Sequence, residues 1–321
     1  MTGPTVLALD VGGTKVAAGL VDAAGTVIAV HRAATPPHGD AEAVWAAVTG
    51  VLDAAAADGD YTAVGIACGG PMRWPSGHVD PLNIPGWRGF PLLDRVRDRY
   101  GQDRPVRIHN DAVALAIGQA RWGAGRGVAN LLAMVVSTGV GGGLVLGGRR
   151  VDGASGNAGH IGHVVVEPDG PACACGGRGC LEAVARGPAI AAAAAARGWS
   201  GPATAQAVTA AARDGDERCL AALARAGRAV GVALASTVAL LDLELVCIGG
   251  GVAQAGDLLL GPVRAAYDEH AGLEYTRRVR IVPVEGADAG LVGAAALVLG
   301  DEVPPPATSR YWETDWAADL L

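Results

Sequence analysis

Four potential metal ligands stand close together in the middle of the chain. Cys173, Cys175 and Cys180 fall within eight residues, and His163 lies ten positions before the first thiol. Three thiolates and one imidazole satisfy one tetrahedral zinc ion, and the glycines between them let the sulfur atoms converge. Because no further ligand suggests an open coordination position, the cluster predicts a structural zinc ion. A disulfide is the alternative, disfavoured by the single residue between Cys173 and Cys175.

Two glycine-rich turns have the composition of phosphate-binding loops. Each follows an apolar strand, one as Asp10-Val-Gly-Gly-Thr-Lys15 and the other as Ser137-Thr-Gly-Val-Gly-Gly-Gly143. Unobstructed backbone N–H groups bind phosphate oxygens, and a carboxylate at a strand end can hold Mg²⁺ through water. A third cluster, 249–251, offers bare backbone to an adenine-ribose, although any one such turn is equally typical of a hairpin. The predicted nucleotide and Mg²⁺ contacts are Asp10, Gly12, Gly13, Thr14, Lys15, Thr138, Gly139, Gly250 and Gly251.

Asn110 and Asp111 follow a predicted strand and precede a predicted helix, 112–122. An aspartate at this position caps a helix by accepting its first N–H groups. An aspartate facing a nucleotide cleft also serves as the base that accepts the proton of an alcohol during phosphoryl transfer. The two roles are compatible, because a cap uses one carboxylate oxygen, and both remain open at this point.

Apolar runs and helical patterns supply the elements that hold these residues. Strands are predicted at 6–9, 16–21, 26–30, 64–67, 106–109, 131–136, 144–146, 245–248 and 279–282. Helices are predicted after Asp40 and Asp257 and at 112–122, 188–196, 202–213, 216–241 and 288–299. The strand, glycine-rich turn and return strand of the amino terminus recur about 130 residues later, which indicates a degenerate internal duplication.

Bulk composition excludes some functions. The 321 residues are 50% hydrophobic with a single Phe, and a net charge of −7 argues against nonspecific nucleic-acid binding. The longest apolar stretch, 229–248, is interrupted by Asp242 and Glu244 and indicates a buried helix followed by a strand, so we expect no membrane partner. The absence of a secretory signal, together with reduced thiols, predicts a cytoplasmic protein.

Together these motifs resemble the ROK family (repressor, open reading frame, kinase), which includes bacterial glucokinases and related sugar kinases. The resemblance covers roughly residues 5–300, and it also rests on Asn83-Ile-Pro-Gly-Trp87 and Gly159-His-Ile-Gly-His163. Its most specific part is the cysteine segment ending in Glu182, which matches the family pattern CxCGxxGCxE at every fixed position. The resemblance implies an α/β, actin-like (ribonuclease-H-like) ATPase fold, with two α/β domains closing over ATP and sugar, and usually a homodimer or homotetramer.

The resemblance also assigns roles and domains. It implies that Asp111 is the catalytic base, that His163 binds zinc with the three thiols, and that sugar contacts come from Asn83, Asn110, Asp111, His160, His163 and Glu182. We expect a small domain at 1–110, completed by the helix near 288–300, and a larger one at 111–287 carrying the zinc segment 157–182. Residues 301–321 form a tail, in which Trp312 and Trp316 could dock on the body.

One position departs from the family pattern. Glucokinases usually have glutamate three residues before the zinc histidine, whereas this chain has His160. A carboxylate accepts several hydroxyl bonds, but a neutral imidazole offers one acceptor and one donor. The acceptor is therefore either glucose or an analogue such as an aminosugar or a C7-cyclitol (carbasugar) of secondary metabolism. A sugar-responsive regulator and a non-catalytic sugar-binding protein are the remaining alternatives. The first would require an amino-terminal helix-turn-helix of about seventy residues, whereas strand one begins by Thr5.

Overall fold

The computed structural model describes residues 3–36, 40–286 and 288–300, and the β-strands of this part form two five-stranded sheets and a small hairpin. The first sheet contains β1 (Val6–Val11), β2 (Lys15–Val21), β3 (Val27–Ala34), β4 (Ala63–Cys68) and β7 (Val106–Asn110). The second contains β8 (Leu131–Val136), β9 (Val140–Leu146), β10 (Arg149–Arg150), β11 (Leu245–Gly249) and β12 (Arg280–Pro283). The hairpin pairs β5 (Met72–Arg73) with β6 (His78–Val79).

Helices cover both sheets. They are α1 (Ala41–Ala57), α2 (Leu92–Val96), α3 (Asp111–Trp122), α4 (Leu181–Ala185), α5 (Gly187–Ala195), α6 (Ala205–Arg213), α7 (Glu217–Leu241), α8 (Asp257–His270) and α9 (Ala289–Ala296). A π-helical turn at 97–101 and 3₁₀ turns at 161–163, 253–255 and 276–278 complete the described elements.

The two sheets repeat one topology. The first runs β3-β2-β1-β4-β7 and the second β10-β9-β8-β11-β12. In each sheet the first two strands of the segment pair antiparallel around a glycine-rich turn, and the central strand then pairs parallel with a later one. The predicted internal duplication is confirmed. Since equivalent strands point the same way, both glycine-rich turns lie at equivalent edges of their sheets.

Two helices connect the halves. α9 packs on β1, β2 and β4 of the first sheet, whereas α3 packs on β8 and β9 of the second and crosses α9. The crossing is close because it is made by glycines: a Cβ added at Gly118 would lie 3.0 Å from Cα of Gly293. The helix predicted near the carboxyl terminus therefore lies on the first sheet, while the domain boundary at 110 stays a prediction.

Several boundaries differ from the sequence-based ones, among them those of β9, β3, α9 and α6, which begins at Ala205 instead of at residue 202. β9 begins at Val140, so Gly141–Gly143 lie in a strand and not in the turn as predicted. The reason is packing: a Cβ at Gly143 would be 2.4 Å from Cα of Val113, so these glycines let α3 approach the strand. β3 continues past Val30 to Ala34, because pairing with β2 extends over the whole return strand. α9 ends at Ala296, three residues earlier than predicted, and the predicted tail lies outside the described residues.

α7 is the one described helix that is long and apolar enough to cross a membrane by length and composition. In the most apolar part of this helix, 61% is buried inside the structure, against α4, α5, α6 and α8. Asp242 ends it in a left-handed conformation, and β11 follows. The apolar stretch 229–248 is thus the buried helix and strand that its sequence indicates.

Candidate active site

A cavity of about 720 Å³ lies between the two sheets. Its walls come from both glycine-rich turns, from the ends of β4, β7 and β11, and from the first residues of α3 and α9. All fifteen residues predicted to contact nucleotide, Mg²⁺ or sugar line it: Asp10, Gly12, Gly13, Thr14, Lys15, Asn83, Asn110, Asp111, Thr138, Gly139, His160, His163, Glu182, Gly250 and Gly251. The structure therefore gathers residues that are up to 241 positions apart in the sequence.

The two glycine-rich turns face this cavity from opposite sheets. The Gly12 N–H donates to the Lys15 carbonyl at 3.0 Å, and the Ser137 N–H donates to the Gly139 carbonyl at 2.8 Å. Asn83 lies against both turns: a Cβ on Gly13 would meet Cβ of Asn83 at 2.5 Å, and a Cβ on Gly139 would meet its Nδ2 at 3.2 Å. Each turn is therefore closed by its own backbone, and the glycines leave room for Asn83 to pack against both turns.

The surroundings of Asp10 disfavour its ionised form. Burial, and then the nearby charge of Asp111, raise the pKa of Asp10 to about 7, with Lys15 opposing the shift. Its carboxylate lies against the start of α9, where a Cβ on Gly290 would be 2.2 Å from Oδ2. Two carboxylates held together in a buried site favour a cation between or beside them, and a helix amino terminus favours their ionised form.

Asp111 is the first residue of α3, and the cap of this helix is Asn110. Oδ1 of Asn110 accepts from the Ala112 N–H at 3.0 Å, and Oδ1 of Asp111 accepts from the same N–H at 2.8 Å. The alternative in which Asp111 is the cap is therefore wrong by one residue. Oδ2 of Asp111 lies towards Gly69, 4.0 Å from where a Cβ there would stand. Burial raises the pKa of Asp111 above its usual 3.8.

A group of polar side chains forms the opposite end of the cavity. Oε2 of Glu182, which is 9% exposed, accepts from the Val140 N–H at 2.8 Å, so the second turn fixes this carboxylate. His160 and Asn110 meet at Gly70: a Cβ there would lie 3.4 Å from Nε2 of His160 and 2.8 Å from Nδ2 of Asn110. Burial, and then the neighbouring His163, lower the pKa of His160, so its imidazole is neutral at pH 7.

The four predicted metal ligands converge beside this end. Their ligand atoms all lie within 4.8 Å of one another, with Sγ of Cys175 3.8 Å from Sγ of Cys180 and Sγ of Cys173 3.9 Å from Nδ1 of His163. Tetrahedral zinc with bonds of about 2.3 Å to sulfur separates neighbouring sulfur atoms by about 3.8 Å. The spacing fits zinc and exceeds the length of a disulfide, which is about 2.05 Å.

Other residues of the cavity wall were missed by the sequence-based prediction. The wall also includes Ser137, Ala253, Gln254, Gly256, Pro283, Val284, Gly286 and Gly290 in the second half of the chain, and Gly69, Gly70 and Pro71 after β4. The duplication offered a signal for part of this set. Gly69 and Gly70 follow β4 directly. In the same way, Gly249 is the last residue of β11, the equivalent strand of the second sheet, and Gly250 and Gly251 follow it.

Several proteins similar to this chain are sugar kinases. A glucokinase from Streptomyces coelicolor is 33% identical over 309 residues, covering 91% of this chain and 96% of that protein. An N-acetylmannosamine kinase from Yersinia pseudotuberculosis is 38% identical over 296 residues, covering 90% and 96%. The crystal structure of a ROK family glucokinase from Streptomyces griseus with glucose and AMPPNP superposes with a TM-score of 0.82, at 34% identity and 91% and 98% coverage.

Fold, site and these similarities define a sugar kinase built on the actin-like ATPase fold, which confirms the predicted fold class. The ROK family model matches residues 6–301, and the chain belongs to that family.

Proposed function

We propose that this chain transfers the γ-phosphoryl group of ATP to the primary, 6-position hydroxyl of a hexose. One observation carries the proposal: Asp111 lines the same cavity as the two glycine-rich turns and as the polar residues His160 and Glu182. A base between a phosphate site and a group of hydroxyl-binding side chains is the arrangement that phosphoryl transfer to an alcohol requires.

In this proposal Asp111 accepts the hydroxyl proton as the sugar oxygen attacks the γ-phosphorus. The bond from that phosphorus to the β,γ-bridging oxygen breaks, and ADP leaves with the electron pair. Burial raises the pKa of Asp111, which makes its carboxylate a stronger base than that of an ordinary aspartate. The Ala112 N–H holds Oδ1 and leaves Oδ2 to receive the proton.

The glycine-rich turns hold the triphosphate through N–H groups of Gly13 and Gly139, with hydroxyls from Thr14 and Thr138. Mg²⁺, when bound, neutralises charge that develops on the phosphate oxygens. Asp10 would hold that ion through water, and the positive charge would favour the ionised form of this buried carboxylate beside Asp111. The 250–251 backbone accepts the nucleoside.

Two classes of acceptor are candidates for the proposed sugar end of the cavity, which is the part lined by His160 and Glu182. Glucose is one, as in the Streptomyces relatives. A 2-acetamido or amino sugar is the other, favoured by the neutral imidazole at His160 and by the 38% identity to an N-acetylmannosamine kinase. An imidazole that offers one donor and one acceptor suits a substrate in which an amide or amine replaces a hydroxyl. A C7-cyclitol is a further candidate, and the His160 imidazole is the one feature that supports it.

A coupled ADP-release assay tests the proposal with glucose, mannose, glucosamine, N-acetylmannosamine and a cyclitol as acceptors, and with polyphosphate in place of ATP. We expect Asp111→Asn to lower kcat by about 10²–10⁴-fold, the share a general base supplies. Asp60→Asn, an exposed aspartate outside the cavity wall, is the matched control and should keep full turnover. Turnover near wild type in Asp111→Asn would exclude the base, and no ADP release with any acceptor would favour a sugar-binding protein or regulator.

His160→Glu separates the two acceptor classes. If His160 selects an analogue, the substitution raises kcat/KM for glucose relative to the native acceptor, because a carboxylate accepts bonds from two ring hydroxyls. An unchanged ratio of the two kcat/KM values would show that this position does not decide the acceptor.

We also propose that the cluster of His163, Cys173, Cys175 and Cys180 binds one structural Zn²⁺. Without a cation the thiolate form of Cys180 is disfavoured: burial, and then hydrogen bonds with the side chains of Cys175 and Cys173, raise the pKa of Cys180 to about 12. A bound dication reverses this by favouring the thiolates. The ion would fix His163 and, two residues after Cys180, the start of α4 with Glu182.

Metal analysis of the purified protein tests this site. One equivalent of zinc is expected in the wild type, with loss of zinc and a lower Tm in Cys175→Ser. Cys219→Ala, a buried thiol far from the cluster in the sequence, should keep its zinc. Full zinc content in Cys175→Ser would exclude the proposed ligand set.

The expected homodimer or homotetramer and the cytoplasmic location remain proposals. Light scattering of the purified chain tests the oligomeric state.

A further inference from the structure

His109 lies directly before the Asn110–Asp111 pair and has no exposed surface. Its Nδ1 accepts a hydrogen bond from the Asn110 N–H at 2.8 Å. Its Nε2 lies 2.9 Å from Oδ1 of Asp152, which belongs to the segment after β10 of the second sheet. One imidazole therefore joins the end of β7 to the other half of the molecule, next to the proposed base.

The Asn110 N–H has a structural need for this partner. β7 is an edge strand that pairs only with β4 among the described strands, so its sheet supplies hydrogen bonds on one side. Asn110 is 4% exposed, and a buried N–H without a hydrogen-bond partner destabilises the fold. The Nδ1 lone pair of His109 satisfies it.

Asp152 decides which ring nitrogen carries the proton. Burial opposes its ionisation, but hydrogen bonds and charge from Arg150 lower the pKa of the Asp152 carboxyl below its usual value. An ionised carboxylate only accepts, so Nε2 of His109 carries the hydrogen, and in the neutral ring Nδ1 keeps the lone pair that Asn110 requires.

Packing holds the ring plane as well. Trp74, from the β5–β6 hairpin beside the sugar end, lies 4.9 Å from the His109 ring centroid at an interplanar angle of 34°. Trp74 is itself pressed against Gly156, where a Cβ would be 2.3 Å from its own Cβ. The imidazole is thus held by three segments, and its rotation would disturb each of them.

We propose that His109, oriented by Asp152, is a positioning residue for the base: through the Asn110 N–H it fixes the peptide that aims Asp111 at the acceptor hydroxyl. The proposal rests on the function proposed above. His109 is not among the residues that line the cavity, and it reaches Asp111 through its hydrogen bond with the Asn110 N–H. Its loss should therefore appear in kcat, because a base displaced by about 1 Å loses about 10²-fold in rate, while ATP binding is preserved.

Two amide substitutions separate the ring's two contacts. His109→Asn puts an amide oxygen near the position of Nδ1 and keeps the acceptor for Asn110. His109→Gln reaches the position of Nε2 and keeps a partner for Asp152, but places only carbon near Asn110. We expect kcat within about threefold of wild type for His109→Asn and about 10–100-fold lower for His109→Gln, with KM for ATP unchanged in both.

The matched control is His31→Gln, because His31 also pairs its Nε2 with an aspartate, Asp58, but at the surface on β3. It should leave kcat unchanged. Variants are compared after thermal melts establish that they are folded. Long-range ¹H–¹⁵N NMR on the wild-type protein gives a readout independent of activity, in which the Nε2–H tautomer of His109 is expected.

Equal kcat in His109→Gln and wild type, an equal loss in both amide variants, or an Nδ1–H tautomer would each overturn the positioning role. Asp111→Asn in the same assay distinguishes this failure from that of the proposed function. Lost turnover in Asp111→Asn beside full turnover in both His109 variants would remove only the positioning role. Full turnover in Asp111→Asn would remove the base itself.

Discussion

Gly143→Ala adds one methyl group where β9 meets the first turn of α3. The new Cβ would lie 2.4 Å from Cα of Val113 and 2.5 Å from the carbonyl oxygen of Ala112. Both are backbone atoms, so no rotamer change relieves the contact. Ordinary van der Waals contact begins at 3.4 Å, and the strand and helix must therefore separate by about 1 Å, because a close-packed interior has no room to absorb the group.

The consequences are structural and catalytic. Overpacking of this kind costs about 1–3 kcal/mol of unfolding free energy, which lowers Tm by about 2–4 °C for each kcal/mol. The same shift moves Ala112 and, with it, Asp111. Displacement of a base by about 1 Å lowers kcat by about 10²-fold. A single methyl group outside the cavity wall should therefore lower turnover more than the loss of stability alone would.

Thermal melts and the ADP-release assay measure the two effects on one preparation. Gly50→Ala in α1 is the control, because a Cβ there has nothing within 4 Å. It removes a helix-interior glycine and should raise stability by about 0.5–1 kcal/mol with kcat unchanged. If Gly143→Ala kept wild-type Tm and kcat, the close approach of α3 to β9 would be refuted. A lower Tm with unchanged kcat would refute the coupling of this contact to Asp111.

Three further outcomes follow from the site and its supports. Asp111 must be ionised to act as the base, and burial raises its pKa above 3.8. We therefore expect kcat/KM to fall as the pH drops, with the midpoint of this fall above pH 3.8. A midpoint at or below pH 3.8 would contradict this expectation. Gly290→Ala places a Cβ 2.2 Å from Oδ2 of Asp10, and we expect KM for Mg-ATP to rise at least tenfold, with KM for the sugar unchanged as the internal check. The pKa of Asp216, the N-cap of α7, is lowered to about 2, first by the Arg218 side chain, so the stability it supplies is present above pH 3.8 and lost as pH falls towards 2. Melts of Asp216→Ala and wild type should converge over that range, and a constant Tm difference would contradict the assignment.

Much of the fold was available from sequence because the signals were local. The apolar runs predicted the central strands, Asp40 marked the start of α1, and the helix predicted at 216–241 begins within one residue of α7. The repeat of strand, turn and return strand predicted two equivalent sheets. These features depend on hydrophobic pattern and turn chemistry, which short segments carry by themselves.

The errors arose where distant segments meet. Gly141–Gly143 looked like a turn, because the helix that needs these glycines in a strand is known only from the tertiary structure. The cap of α3 was assigned to Asp111 as one alternative, but neighbouring polar residues cannot be distinguished without backbone geometry. The contact between His109 and Asp152 joins residues 43 positions apart, and no local pattern indicates it.

α3 follows the first sheet but packs on the second, and α9 follows the second sheet but packs on the first. This arrangement has a consequence for folding during synthesis. The first sheet is complete by Asn110, yet the helix that covers one of its faces is made almost 180 residues later. Until α9 leaves the ribosome, Val6, Ala8 and Ala67 have no cover from that helix. The amino-terminal half therefore cannot finish folding while the rest is being translated. A nascent chain arrested before residue 289 should expose this face, bind chaperones and be digested by protease, whereas one that carries α9 beyond the exit tunnel should resist.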